Sequence, residues 1–186
     1  VIMPTLVGSE MCIRDRYLRG LTFQLYENNG VVKRSEVDQI VKSIPLEERK
    51  KLWGMGIKIG RYHIYLPKML KPKAVSFRIG LWKIFNNLSD KNKIPQSGLN
   101  FLVSKNFEKK FLLLCGFEQF HEFFVRIDIL EKLFIKIIDC TKDRKFKINA
   151  DMMNLLGCSK ENFYKLMTYM NYKKDKVVDT YVFKGE

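Results

Sequence analysis

Apolar residues recur mainly at helical spacing along this chain. Leu18, Leu21 and Leu25 predict a helix over Tyr17 to Asn28, which Asn28-Asn29-Gly30 stops. Ser35-Glu36-Val37-Asp38 resembles a capping box with Asp in place of Glu. Val37, Ile40, Val41 and Ile44 then share one apolar face, and Pro45 ends it. Leu46 to Trp53 reads as a short charged helix closed by Gly54. Ile57 to Leu66 is strand-like, with Gly60 as a bulge or turn. Pro67 and Pro72 bracket one helical turn, Lys68 to Lys71. Lys73 to Leu88 predicts a helix with Val75, Ile79, Trp82 and Phe85 on adjoining positions.

Ser89 to Gly98 is polar, holds Pro and Gly and has no period, so it predicts a linker. Beyond it come a helix around Phe107 to Cys115 ended by Gly116, and an extended stretch from Phe117 to Val125. Asp128 is expected to cap a helix over Ile129 to Cys140 whose face is Leu130, Leu133, Phe134 and Ile137. A strand at Lys145 to Ile148 follows. Next are a helix over 150–156 capped by Asn149 and ended by Gly157, and a helix over Lys160 to Tyr172 capped by Ser159. The basic turn Lys173-Lys174-Asp175-Lys176 leads to an alternating strand, Val177 to Phe183. That order is the order of a winged helix. Lys160, Asn162, Lys165 and Thr168 would then face nucleic acid, with Phe163, Leu166, Met167 and Met170 inward and 173–176 as the wing. No internal repeat is visible in the sequence. The expected fold is α+β and mainly helical: a helical module at 17–88, a linker at 89–98 and a winged-helix-like module at 99–186.

Hydrophobic residues make up 46% of the 186 positions, enough to form a core. Charges interrupt every stretch long enough to span a bilayer, so no membrane partner is expected. Four cysteines without Cys-x-x-Cys spacing exclude a disulfide scaffold or zinc ribbon, and reduced thiols suggest a cytoplasmic setting. Cys115, Cys140 and Cys158 adjoin apolar helix positions and read as small core residues. The net charge of +14 points to a polyanion. It is uneven: residues 47–93 carry 12 basic and 3 acidic groups, whereas 94–140 carry 6 of each and 141–186 carry 10 and 6.

Residues 6–16, Leu-Val-Gly-Ser-Glu-Met-Cys-Ile-Arg-Asp-Arg, are what a transposon mosaic-end sequencing adapter encodes in one frame. Residues 1–16 are therefore set aside as a scar, Cys12 with them, and the remainder is expected to be part of a longer protein.

There is no Gly-rich phosphate loop, no Asp-Glu-x-His box and no Gly-x-Ser-x-Gly. His63 and His121 stand at no metal-ligand spacing from a Cys or carboxylate and read as packed or surface histidines. No enzymatic activity, metal or cofactor is expected of this segment alone.

The stretch LWGMGIKIGRYHIYLPKMLKPKAVSFRIGLWKIFNN (52–87) resembles the C-terminal region of alphaproteobacterial superfamily 2 helicases related to the RNA helicase of the mitochondrial degradosome. The matching positions are Gly56, Gly60, Leu66-Pro67, Leu70-Lys71-Pro72 and Leu81-Trp82. Two later blocks, CGF…VRIDILEKL (115–133) and INADMMNLLGCSKENFYKLMTYMNYK (148–173), are also similar. The resemblance implies a parent that uses ATP and Mg to move along or unwind nucleic acid. Its ATPase core is not in this sequence, and no catalytic residue carries over. The segment would be an accessory region that packs on that core and guides the strand.

Spaced cations with interleaved aromatics suit a phosphate track with stacking platforms. The candidate contacts are Lys58, Arg61, Lys68, Lys71, Lys73, Arg78 and Lys83 among Tyr62, Tyr65 and Trp82, and Lys160, Lys165, Lys173, Lys174 and Lys176 in the last module. The aromatics could instead be core, with the lysines a solvated face. The favoured function is guidance of single-stranded RNA. A stand-alone winged-helix DNA-binding protein and a protein-interaction module are the alternatives.

Overall fold

The computed structural model describes residues 11–87, 94–103, 109–141, 144–175 and 179–183, with side chains from Tyr17 onward. The fold is α+β, with eight α-helices and three small antiparallel sheets among these residues. It divides into two compact units, up to Met69 and from Leu70 onward.

The first unit runs α1 (Met11–Glu27), β1 (Val31–Lys33), α2 (Arg34–Ser43), α3 (Leu46–Gly54), β2 (Lys58–Ile59) and β3 (His63–Tyr65). Its sheet order is β1-β3-β2. Leu21, Leu25, Val37, Val41, Ile44 and Leu52 close the helices over Val32, Ile57 and Ile64. The turn between α2 and α3 is held by Arg49, whose guanidinium donates to the Val41 and Ile44 carbonyls at 3.0 and 3.1 Å. A cation on the last carbonyls of a helix satisfies acceptors that have no partner within it.

A 3-10 turn, Pro67–Leu70, leads to α4 (Pro72–Phe85). Next come β4 (Phe101–Val103), α5 (Lys109–Leu114), β5 (Phe117–Phe120) and β6 (Phe123–Arg126), in sheet order β4-β6-β5. The chain continues without a connecting residue into α6 (Ile127–Cys140). After it come β7 (Lys145–Lys147), α7 (Ala150–Leu156), α8 (Lys160–Tyr169), β8 (Tyr172–Lys174) and β9 (Thr180–Phe183), in order β7-β9-β8.

The same topology therefore occurs three times: helix, strand, helix, helix, strand, strand, with the last strand central. Among the described residues the middle copy has one helix, α5, where the others have two. The registers agree residue for residue. Tyr65 pairs with Val31 and Lys58, Val125 with Phe101 and Glu118, and Val182 with Lys145 and Lys173. In each copy a residue with positive φ separates the last helix from the second strand: Gly56 (φ 84°), Gly116 (φ 88°) and Asn171 (φ 66°). Four positions before it lies a fully buried side chain, Leu52, Leu112 or Met167. One position after it lies a buried Ile57, Phe117 or Tyr172. The left-handed residue stops the helix and turns the chain so that its successor faces the core. The sequence reading found no repeat; the repeat lies in backbone and burial, not in residue identity.

Several expectations change. The two compact units divide at Met69/Leu70, and of the linker expected at 89–98 residues 89–93 lie outside the described residues. The helix over 73–88 is α4, and it packs with the second unit: Val75, Ile79 and Trp82 join Phe111, Leu112, Cys115, Phe117 and Phe124. Phe85, expected on that face, is 88% exposed, as Phe77, Leu81 and Ile84 are also turned outward. Neither Ser35 nor Asp128 caps a helix; α2 and α6 begin after Lys33 and Arg126. Asp128 instead pairs with Arg126 at 2.6 and 2.8 Å. The caps at Asn149 and Ser159 form as expected, accepting from the Met152 and Asn162 backbone N–H groups. The extended stretches at 57–66 and 117–125 are both hairpins. No helix among the described residues is long and apolar enough to cross a membrane.

Candidate nucleic-acid interface

In the last module, α8 and the β8–β9 hairpin form a cationic, aromatic face. Phe163, Leu166, Met167 and Met170 turn α8 inward and are buried. Lys160, Lys165 and Thr168 are exposed, while Asn162 is half-buried. Lys173 and Lys174, expected in the turn, stand in strand β8 and are exposed there. Lys176 lies outside the described residues.

Tyr164 sits at the centre. Its ring has the Lys160 ammonium 5.4 Å from the centroid and that of Lys174 5.6 Å away, both within cation–π reach. Its hydroxyl donates to Asp179 Oδ1, and Lys160 reaches Asp179 Oδ2 at 3.4 Å. The Tyr164 hydrogen bond, aided by Lys160 and Lys174, holds the Asp179 carboxyl below the usual range. Tyr164 and Asp179 in turn raise the affinity of the Lys160 ammonium for its proton. The cluster has one carboxylate to two ammonium groups and so keeps a net positive charge.

The other candidates divide. In the first unit Lys58 on β2, Arg61 in the hairpin turn and Lys68 in the 3-10 turn are exposed. In the second unit Lys71 and Lys73, at the start of α4, are exposed. Arg78 is not a surface cation. It is 7% exposed, donates to the Leu114 carbonyl, and braces α4 against the end of α5. Burial lowers the proton affinity of this guanidinium. Lys83 is half-buried. Tyr65 is core, Tyr62 is half-buried, and Trp82 packs on Phe111 with ring centroids 6.2 Å apart.

Sequence reasoning missed two features. Tyr164 was not singled out, although Lys160 four residues before it signals a shared face. Trp53, read within a charged helix, is 57% exposed. From Arg49 to Ser89 the chain has no Asp or Glu, a sharper signal than the net charge.

The cysteines also divide. Cys115 is buried, and burial pushes its thiol up to about 12; Cys158 is half-buried and pushed up to about 11. Cys140 is exposed at the end of α6, not the core residue expected. Among the described residues no group of three or more His, Cys, Asp or Glu side chains could hold a metal ion. No protein family, curated protein or solved structure matches the chain.

Proposed function

We propose that this chain is a nucleic-acid-guiding accessory region that works beside the ATP-dependent motor of a superfamily 2 helicase and contacts single-stranded RNA. The observation that carries the reading is the face of α8 and its hairpin, where the ammonium groups of Lys160 and Lys174 lie over the Tyr164 ring and Lys165 and Lys173 are exposed on the same two elements. The helix–strand–helix–helix–strand–strand order with the last strand central is the winged-helix order. In that arrangement α8 would lie along the nucleic acid and the β8–β9 hairpin would be the wing. ATP and Mg belong to the motor, so the segment's own chemistry is binding and orientation.

Binding of the full chain to an RNA oligonucleotide, titrated from 50 to 300 mM salt, tests the reading. Five or six phosphate contacts give a log–log slope of about −4 for a single strand. A flat salt response would overturn it, and tighter binding to duplex DNA would favour the DNA-binding alternative. Reading the coding sequence upstream tests the helicase parent: an open frame into a phosphate-loop segment is expected. A protein-interaction role has one observation in its favour, the outward Phe77, Leu81, Ile84 and Phe85 on α4. Loss of RNA affinity even at low salt would turn the reading toward it.

A further inference from the structure

We infer that the first module carries a second nucleic-acid face, built by α3 and the β2–β3 hairpin around Trp53; the inference rests on the function proposed for the α8 face. Counting from the positive-φ residue sets the two modules in one register. Six positions before it stand Lys50 and Lys165, and two positions after it stand Lys58 and Lys173; all four are exposed. Three positions before it stand Trp53 and Thr168, also exposed. Lys58 and Lys173 hold the same register against the central strand, opposite Tyr65 and Val182. The two modules thus present ammonium groups at matched points of helix and hairpin, and Arg61 adds a cation at the hairpin turn of the first.

The acidic groups of α3 leave this pattern intact. Glu48 is turned inward, 7% exposed, and pairs with Lys51 at 2.8 Å. Glu47 is the carboxylate on the outer side, as Glu161 is on α8.

The middle module lacks the pattern. Lys110 occupies the helix position and is exposed, but the hairpin position is Glu118, which is buried. Its hairpin tip is also engaged: the His121 ring lies 4.2 Å from that of Tyr169 on α8, and the Tyr169 hydroxyl donates to Glu122 at 3.3 Å. Among the described residues the first and last modules therefore carry the pattern and the middle one does not. Trp53 identifies the ligand class, since an exposed indole beside lysines offers a stacking surface for an unpaired base, which a duplex would not present.

The test is the stoichiometry and fluorescence of the full chain with an oligouridylate eight nucleotides long, too short to serve as a long track. Wild type should bind two oligonucleotides per chain at low salt, with quenching of Trp53; Trp53→Phe identifies that signal against Trp82. Lys50→Glu with Lys58→Glu should leave one site and remove the quenching, and Lys165→Glu with Lys173→Glu should leave one site and keep it. Trp53→Ala should weaken the first site roughly 5- to 150-fold, the usual worth of one stacked base. All these side chains are exposed, and an unchanged thermal transition shows that each variant folds. A single wild-type site that Lys165→Glu with Lys173→Glu abolishes would overturn the second face and leave the proposed function standing. No binding by wild type at low salt would overturn both.

Discussion

Gly116→Ala and Gly56→Ala make the same chemical change at equivalent positions, and the structure gives them different costs. Both glycines have φ near 85°, where a Cβ meets its own backbone at a cost of about 1–2 kcal/mol. A Cβ on Gly56 would find nothing else within 4 Å. A Cβ on Gly116 would sit 2.7 Å from Leu70 Cδ2, with Leu70 Cγ at 3.8 Å. Leu70 must leave its rotamer or the 3-10 turn that carries it must shift, and overpacking of this kind costs about 1–3 kcal/mol. Gly116→Ala should therefore destabilise by about 2–5 kcal/mol and Gly56→Ala by about 1–2 kcal/mol. In units of this size each kcal/mol moves a thermal transition by roughly 3–8 °C. Calorimetry of the full chain reads both, since the substitutions fall in different compact units. Equal shifts, or a larger shift for Gly56→Ala, would refute the reasoning from Leu70. Asn171→Gly supplies the converse: it relieves backbone strain at φ 66° but adds freedom to the unfolded chain, so the transition should move little.

Three other outcomes are expected. Arg78→Met removes the donor from a buried carbonyl and should cost about 1–3 kcal/mol by denaturant unfolding, with RNA affinity unchanged; weaker binding at unaltered stability would return Arg78 to the interface. In a Cys12→Ser background, Cys140 should react with a thiol reagent in seconds, Cys158 slowly, and Cys115 only on unfolding; early modification of Cys115 would contradict its burial. The Asp179 carboxyl titrates below its unfolded value in the folded chain. Its contribution is thus present above the ordinary carboxylate range and lost as pH falls through the lowered value. Asp179→Asn should flatten the acid limb of a melting-temperature profile between pH 6 and 2.5, and an identical limb in both proteins would remove Asp179 from the account.

Local signals in the sequence succeeded at the last module's helix ends and failed at Ser35 and Asp128, where the helix starts one or two residues earlier. Asn149, Gly157 and Ser159 bond within a few residues of themselves, so caps and turn are legible from order alone. The inward face of α8 follows from spacing in the same way. Strands β1, β4 and β8 were not legible: Val-Val-Lys, Phe-Leu-Val and Tyr-Lys-Lys are too short to alternate, and they are strands because β3, β6 and β9 pair with them from 7 to 34 positions away. α4 is apolar on two sides, so periodicity found Val75, Ile79 and Trp82 but drew in Phe85, which is turned outward as Phe77 and Leu81 are. Arg78 misled for the same reason, since a cation within an apolar helix reads as surface until its acceptor is known. The candidate face of α8 was half legible, in its lysines but not in the tyrosine between them. That of α3 was hidden, because Lys50 and Lys58 acquire meaning only when set against Lys165 and Lys173.

The junction between the middle and last modules has a mechanical consequence. Arg126 is at once the last residue of β6 and the residue before α6, and its guanidinium clasps Asp128 in the first turn of that helix. Its amide donates to Asn100, and the Asn100 side chain donates to the Leu155 carbonyl, so both neighbours are anchored as well. Force applied along β6 would reach α6 with no loop residue between them to absorb it. The two modules should bear load as a single stiff lever.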